Sequence, residues 1–317
     1  MSSNVQHFDY AQSIKSGIDA AWRVWQTALI RLIFFIFSVI GMAVIIGIVL
    51  TIGWVIAGVN IHELRNFGNV NDLISLILGK YFTITIVTSI ILLFYIMIVL
   101  TIALYIFGGS CGCIALAIKN PNYRLTWNDF IFIGKKTFFT LIWFITLFSL
   151  LGILCNIILV LDSTLAYRIV KDIQNLFIDS MIVIFTIIFN VSLVVIMLSL
   201  FFYGTASIYL KENSAKLALT DAFNFFKKRP SSIWFIFIIG VFYALLNLVF
   251  ILISLIIAKL PTIGFYISIP FNLIIYFIQS ILNISLIGSI FYYYGEIEGL
   301  FKTSEDQPAE TQHEITL

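Results

Sequence analysis

Charge is scarce in this sequence. Its 317 residues include 18 Lys+Arg and 16 Asp+Glu, 11% of the chain, against 61% apolar residues. With a mean hydropathy of +1.07, the chain is excluded from the soluble domains. Cysteine and histidine number three each. Cys111, Cys113 and Cys155 fall inside or at the ends of apolar runs, so no disulfide framework follows. Cys111 and Cys113, two positions apart, point to different faces of a helix, which argues against a shared metal. His7, His62 and His313 are scattered, and His62-Glu63 lacks the HExxH spacing of a zinc site. The sequence also lacks G-x-S-x-G, a phosphate-cradling glycine loop and a nucleotide signature. Its largest loops hold about 20 residues, too few for a separate catalytic domain. These absences predict a non-enzyme with no cofactor, no bound metal and no nucleic-acid partner.

What the chain does have is long uncharged runs, roughly 32–58, 81–118, 137–161, 180–210, 230–258 and 260–295. About 20 apolar residues cross the hydrocarbon layer as a helix, and internal hydrogen bonding makes helices the default there. The runs are too long for barrel strands and do not alternate. The expected fold is all-α: a polytopic six-helix transmembrane bundle. Six crossings put both termini on one side. That side carries Lys15, Arg23, Arg31, Lys119, Arg124, Lys135, Lys136, Lys211, Lys216, Lys227, Lys228 and Arg229. The other carries only Arg65, Lys80, Arg168, Lys171 and Lys259. The positive-inside rule therefore predicts cytoplasmic termini, and the absence of a cleavable leader pattern agrees with the first run serving as a membrane helix.

Two of the charged connectors share one pattern. Gly112 to Lys136 aligns without a gap on Gly204 to Lys228, with Gly112/Gly204, Lys119/Lys211, Leu125/Leu217, Asp129/Asp221, Lys135/Lys227 and Lys136/Lys228 identical. Asp9 and Lys15 reproduce the Asp129–Lys135 spacing, and Trp22, Trp143 and Trp234 follow at nearly constant distance. The predicted organisation is a single membrane domain over 1–302, built from hairpin repeats at about 7–118, 124–210 and 216–298. Each hairpin comprises an interfacial helix, a membrane helix, an outer loop and a longer membrane helix. Residues 303–317 form an acidic cytoplasmic tail whose composition predicts disorder.

The interfacial segments read as amphipathic. In the first, Ala11, Ile14, Ile18, Ala21, Trp22, Trp25 and Leu29 share a face opposite Lys15, Asp19 and Arg23. In the third, Ala218, Leu219, Ala222, Phe223 and Phe226 oppose Asp221, Asn224, Lys227 and Lys228. Such helices lie in the headgroup layer. The candidate contacts for lipid headgroups, anionic ones included, or for a protein partner at the cytoplasmic face are Lys15, Arg23, Lys119, Arg124, Lys135, Lys136, Lys211, Lys216, Lys227, Lys228 and Arg229. Small residues at Gly108–Gly112, Gly204-Thr205 and Gly288-Ser289 offer a helix break or close helix approach.

The run interiors contain no Asp, Glu, Lys, Arg or His, the residues that transport and intramembrane catalysis leave in a span. Asn272, Gln279 and Asn283 form a mild polar stripe on the sixth run. It serves as interhelical hydrogen bonding or, alternatively, as a lining for an amphipathic ligand. Two functional expectations follow. One is an accessory or scaffold role in envelope or lipid organisation. The alternative is a transporter or permeation pathway for a hydrophobic or weakly polar substrate. Delivery into a host membrane stays open as well.

The opening Ile14-Lys15-Ser16-Gly17-Ile18-Asp19-Ala20-Ala21-Trp22, the later Asp221-Ala222-Phe223-Asn224-Phe225-Phe226-Lys227-Lys228 and the three-hairpin plan resemble a bacterial family of six-helix membrane proteins. That family includes the membrane domain fused to some glycerophosphodiester phosphodiesterases and small stand-alone inner-membrane proteins. The resemblance implies a bacterial inner-membrane location and no catalytic residues. The fused phosphodiesterase domain has no counterpart in this sequence.

Overall fold

A computed structural model of the chain describes residues 10–57, 82–173, 175–259 and 264–301. His7, Asp9, His62, Arg65, Lys80, His313 and the acidic tail lie outside them. The described residues form eight helices and no strand: α1 (Tyr10–Arg23), α2 (Gln26–Ala57), α3 (Phe82–Lys119), α4 (Trp127–Ile173), α5 (Leu176–Lys211), α6 (Ala215–Lys228), α7 (Ser232–Ala258) and α8 (Gly264–Ile297). Six of these, all but α1 and α6, are long and apolar enough to cross a membrane. The chain is an all-α, multi-pass membrane protein.

The helix ends follow from local chemistry. Thr126 caps α4 by accepting from the Asp129 amide at 3.2 Å, and Asp129 sits favourably in that positive first turn. The Asn175 side chain accepts from the amides of Phe177 and Ile178 to start α5. Pro230 separates α6 from α7, where its ring cannot continue an incoming helix.

Two expectations about the second hairpin are corrected. Its interfacial segment is not a separate helix: α4 runs without interruption from Trp127 to Ile173. The third hairpin reads Lys227-Lys228-Arg229-Pro230, but the second reads Lys135-Lys136-Thr137-Phe138, with nothing to break a helix. Most of the expected outer loop between about 161 and 180 is also helical, with α4 reaching Ile173 and α5 beginning at Leu176. Residues 162–173 contain neither Gly nor Pro, and Arg168 and Asp172 stand at i,i+4. At about 1.5 Å per residue, α4 is roughly 70 Å long, against about 30 Å of hydrocarbon. Likewise α3 does not break at Gly108–Gly112; those residues serve close approach instead.

The chain divides into two compact units, one spanning Leu29–Ile106 and the other comprising the residues up to Ala28 and from Phe107 onward. In the first, α2 and α3 meet where the Tyr95 hydroxyl donates to the Ser38 carbonyl, and Gly41 leaves room for that ring. Phe37, Leu93 and Phe94 face outward. In the second unit the core lies towards one end. It holds the fully buried Tyr203, Tyr293, Tyr294, Phe144, Phe235 and Phe291, while Leu150, Leu154, Val160 and Leu161 of α4 remain exposed. Exposed apolar side chains in a spanning helix are the surface offered to lipid.

Glycines set the closest approaches in this core. A Cβ at Gly17 would lie 2.5 Å from the Ser289 Cα, and one at Gly288 would lie 2.9 Å from the Gly17 carbonyl oxygen. α1 therefore docks on α8 backbone to backbone, through the buried Ser13, Gly17, Ala20 and Ala21. Of the expected apolar face, Ala21 joins this contact, whereas Ile18 and Trp22 are exposed, Trp22 at 63%. Small side chains permit close helix approach, and the large ones are left for the surroundings. In α6 the buried residues are Ala215, Ala218, Ala222 and Phe225, while Phe223 is exposed. The Phe225 ring lies 4.7 Å from that of Tyr203 and 4.9 Å from that of Tyr294.

Candidate functional site

The Lys–Asp pair of each aligned connector sits where three helices meet, and the two copies differ. In the later copy, Lys211 ends α5, Asp221 lies on α6, and Tyr294 and Glu298 come from the end of α8. The Lys211 ammonium is 2.9 Å from Asp221 Oδ2 and 2.6 Å from Glu298 Oε2. Asp221 Oδ2 also accepts from the Tyr294 hydroxyl at 2.6 Å and the Ser207 hydroxyl at 2.9 Å. Asn213 donates to Ser207 Oγ at 2.8 Å. Lys211 further lies 5.2 Å from the centre of the Tyr294 ring. Burial pushes the Asp221 carboxyl up, but the hydrogen bonds from Tyr294, Lys211 and Ser207 outweigh it and hold the pKa below the ordinary value. This network is closed: every charge has partners, and it clamps α5, α6 and α8 together.

The earlier copy is open. Lys119 ends α3 and donates to the Leu210 carbonyl at 2.9 Å. Asp129, on the first turn of α4, accepts from the Tyr123 hydroxyl at 3.2 Å. Burial, then the neighbouring Cys113 thiol and the Asp129 carboxylate, push the Tyr123 hydroxyl pKa up. Among the described residues, neither Lys119 nor Asp129 has an ion-pair partner within 4.0 Å. The end of α5 and the residue after it supply Tyr209 and Glu212 here, much as the end of α8 and the residue after it supply Tyr294 and Glu298 in the later copy, but they engage elsewhere. Thr137 donates to the Tyr209 hydroxyl at 3.3 Å, and Glu212 pairs with Lys136 at 2.7 Å. The hydrogen bond and charge of Lys136 lower the Glu212 pKa. Lys119, Asp129, Lys136 and Glu212 together line a cavity of about 380 Å³.

The other sequence candidates are distributed around these copies. Arg23 closes α1 on the Asp19 carbonyl and reaches the Asn120 carbonyl at 3.0 Å, which ties α1 to the end of α3. Lys15, Arg124, Lys135, Lys216, Lys227, Lys228 and Arg229 are exposed. Gln279 donates to Asn247 Oδ1 on α7 at 2.9 Å, Asn272 is exposed, and Asn283 is half-buried. Tyr294 and Glu298 were missed by the sequence reading. The Tyr-x-x-x-Glu at the end of the last span was the available signal.

A second cavity of about 420 Å³ lies between α1, α7 and α8. It is lined chiefly by apolar side chains, among them Ile14, Ile18, Trp22, Phe242 and Leu282. Among the described residues, no group of three His, Cys, Asp or Glu side chains forms a metal-binding set. Comparison with family models, with curated proteins and with solved structures returns no match for this chain. The class defined by the fold is therefore that of a multi-pass α-helical membrane protein.

Proposed function

We propose that this protein is a non-catalytic integral protein of a bacterial inner membrane, with both termini cytoplasmic, and that it serves an accessory or scaffold role in lipid and envelope organisation. The observation carrying this reading is the placement of Lys119 and Lys211 at helix ends tied into one core, with the exposed Lys136 in the third turn of α4 and exposed apolar helices beyond. A protein built this way holds a basic rim against headgroups, each exposed cation contributing about 1 kcal/mol towards an anionic leaflet. The exposed Lys135, Lys227, Lys228 and Arg229 leave that rim open to a protein partner as well. The repeated hairpin plan and the resemblance of the Ile14–Trp22 segment to bacterial six-helix membrane proteins support the same reading. A permeation role would draw on the Asn272, Gln279 and Asn283 stripe. Gln279, however, is bonded to Asn247, and neither cavity described above is lined by Gln279 or Asn283.

Native mass spectrometry of the protein released directly from membrane vesicles tests the proposal. Retained phospholipid or a reproducible protein partner is the expected result. Neutralising Lys135, Lys136, Lys227, Lys228 and Arg229 together should lower association with anionic vesicles. Solute flux in proteoliposomes that is lost on Gln279→Leu, with vesicle association unaffected by the neutralised residues, would overturn it.

A further inference from the structure

The two aligned connectors present the same charged pair in two states, and the difference has a chemical shape. At Lys211–Asp221 the lysine and the carboxylate touch, and Glu298 and Tyr294 complete their shells. At Lys119–Asp129 the identical residues stand apart on the wall of a cavity. Ser207, a donor to Asp221, is replaced in alignment by Ala115, and Glu212 is held by Lys136. Among the described residues, the open copy therefore has an ammonium that bonds the Leu210 carbonyl but no carboxylate within 4.0 Å, and a carboxylate that accepts from the Tyr123 hydroxyl, both lining one space.

That space is amphipathic. Beside its charged wall lie Ala115, Leu116, Phe132, Ile133 and Ile208, and Phe132 is exposed. It sits where α3 and α5 end and α4 begins, and the exposed Trp127 opens α4 two residues before Asp129; tryptophan is enriched at the headgroup level of membranes. At about 380 Å³ it falls within the roughly 300–1,000 Å³ range of small-ligand sites.

We propose that the Lys119–Asp129 cleft is a binding site for a phospholipid whose headgroup carries a phosphate and a primary ammonium. Lys119 donates to the phosphate, Asp129 accepts from the ammonium, and the Leu116–Phe132 side receives the first segment of an acyl chain. Such a headgroup supplies an anion to Lys119 and a cation to Asp129, as Asp221 and Lys211 do for each other in the closed copy. Glu212, whose Oε2 is bonded to Lys136, adds a second carboxylate on the cavity wall. A quaternary ammonium has no N–H to give Asp129, and a glycerol headgroup has no cation, so the site discriminates against both. This inference rests on the lipid-organising reading above and names the lipid class within it.

The test uses the full chain reconstituted in nanodiscs of equal phosphatidylethanolamine, phosphatidylcholine and phosphatidylglycerol. The protein is released in detergent, and retained lipid is read by native mass spectrometry. Wild type should retain the ethanolamine lipid about tenfold over the other two, roughly what one charge-assisted hydrogen bond gives. Asp129→Asn should erase that preference while phospholipid is still retained. Lys119→Gln should remove retention, Lys119→Arg should restore it, and Arg168→Gln, near the far end of α4, should change nothing. Variants are compared at matched thermal midpoints so that unfolding is not read as lost binding. Competition by free phosphoethanolamine as strong as that by the lipid would overturn the lipid assignment. Equal retention of the three lipids, or preference for the glycerol headgroup, would overturn the inference and leave the lipid-organising reading standing. Loss of retained lipid of every class in wild type, without a protein partner, would remove both.

Discussion

The docking of α1 on α8 gives the sharpest test of the architecture. In Gly17→Ala the new methyl lies 2.5 Å from the Ser289 Cα, whereas carbon atoms rest at about 3.5–4.0 Å. The obstacle is backbone, so no rotamer change relieves it, and α1 must retreat by about 1 Å or more. Overpacking of this kind costs about 1–3 kcal/mol, and a rigid neighbour puts this site at the upper end. Alanine returns about 1 kcal/mol through its better helix propensity. The net loss is about 2 kcal/mol, roughly a thirtyfold shift in the folding equilibrium. Gly152 and Gly240 are internal controls, because an added Cβ there meets nothing within 4 Å. The same substitution at those positions should be neutral or stabilise by up to about 1 kcal/mol. The assay is denaturant unfolding in detergent, followed by tryptophan fluorescence, with Trp22 reporting from α1 itself. Gly17→Ala as stable as Gly152→Ala would refute the backbone contact.

Four further outcomes follow from the polar contacts. Asp221→Asn removes the carboxylate at the centre of the closed network and should cost about 1.5–3 kcal/mol. Lys136→Met breaks a pair whose side chains are 52% and 68% exposed, and should cost about 0–1 kcal/mol. Because the folded Asp221 pKa is depressed, its contribution is fully present above the unfolded value of about 3.9 and is lost as pH falls through the folded value. Wild type should therefore lose stability more steeply than Asp221→Asn below about pH 4, as read by thermal midpoints across an acid series. In a double-mutant cycle, Gln279→Leu and Asn247→Leu should couple by about 0.6 kcal/mol, and additivity would show that their hydrogen bond contributes nothing.

The membrane spans were legible because hydropathy over some twenty residues is a one-dimensional property, and desolvation of the backbone leaves helices as the answer. The break between α6 and α7 was equally legible at Pro230. The identity of Lys119/Lys211 and Asp129/Asp221 marked the positions of interest. Which of these pairs closes was not readable, because closure depends on Tyr294 and Glu298, which reach Asp221 and Lys211 from 73 and 87 residues away. Docking faces were not readable either, and for a physical reason. In water the large apolar face of an amphipathic helix seeks the core, but beside lipid it already has an apolar neighbour. Ser13, Gly17 and Ala20 therefore make the protein contact, and Ile18 and Trp22 do not. The continuity of α4 was missed because change of charge was read as change of element, when nothing between Lys136 and Thr137 interrupts a helix.

The α1–α8 contact also has a consequence for synthesis. The Ser289 hydroxyl bonds the Ile14 carbonyl across 275 residues of chain, so α1 leaves the ribosome long before its docking surface exists. At about 5–20 residues per second, the interval is roughly 15 to 55 s. Through that interval the Ser13–Ala21 face of α1 stays open to solvent, lipid or an insertion factor. Asp221 likewise waits for Tyr294. Completion of the last span is thus the event that closes both ends of the chain, and a translation arrest before α8 would leave a nascent protein with its first helix still unsecured.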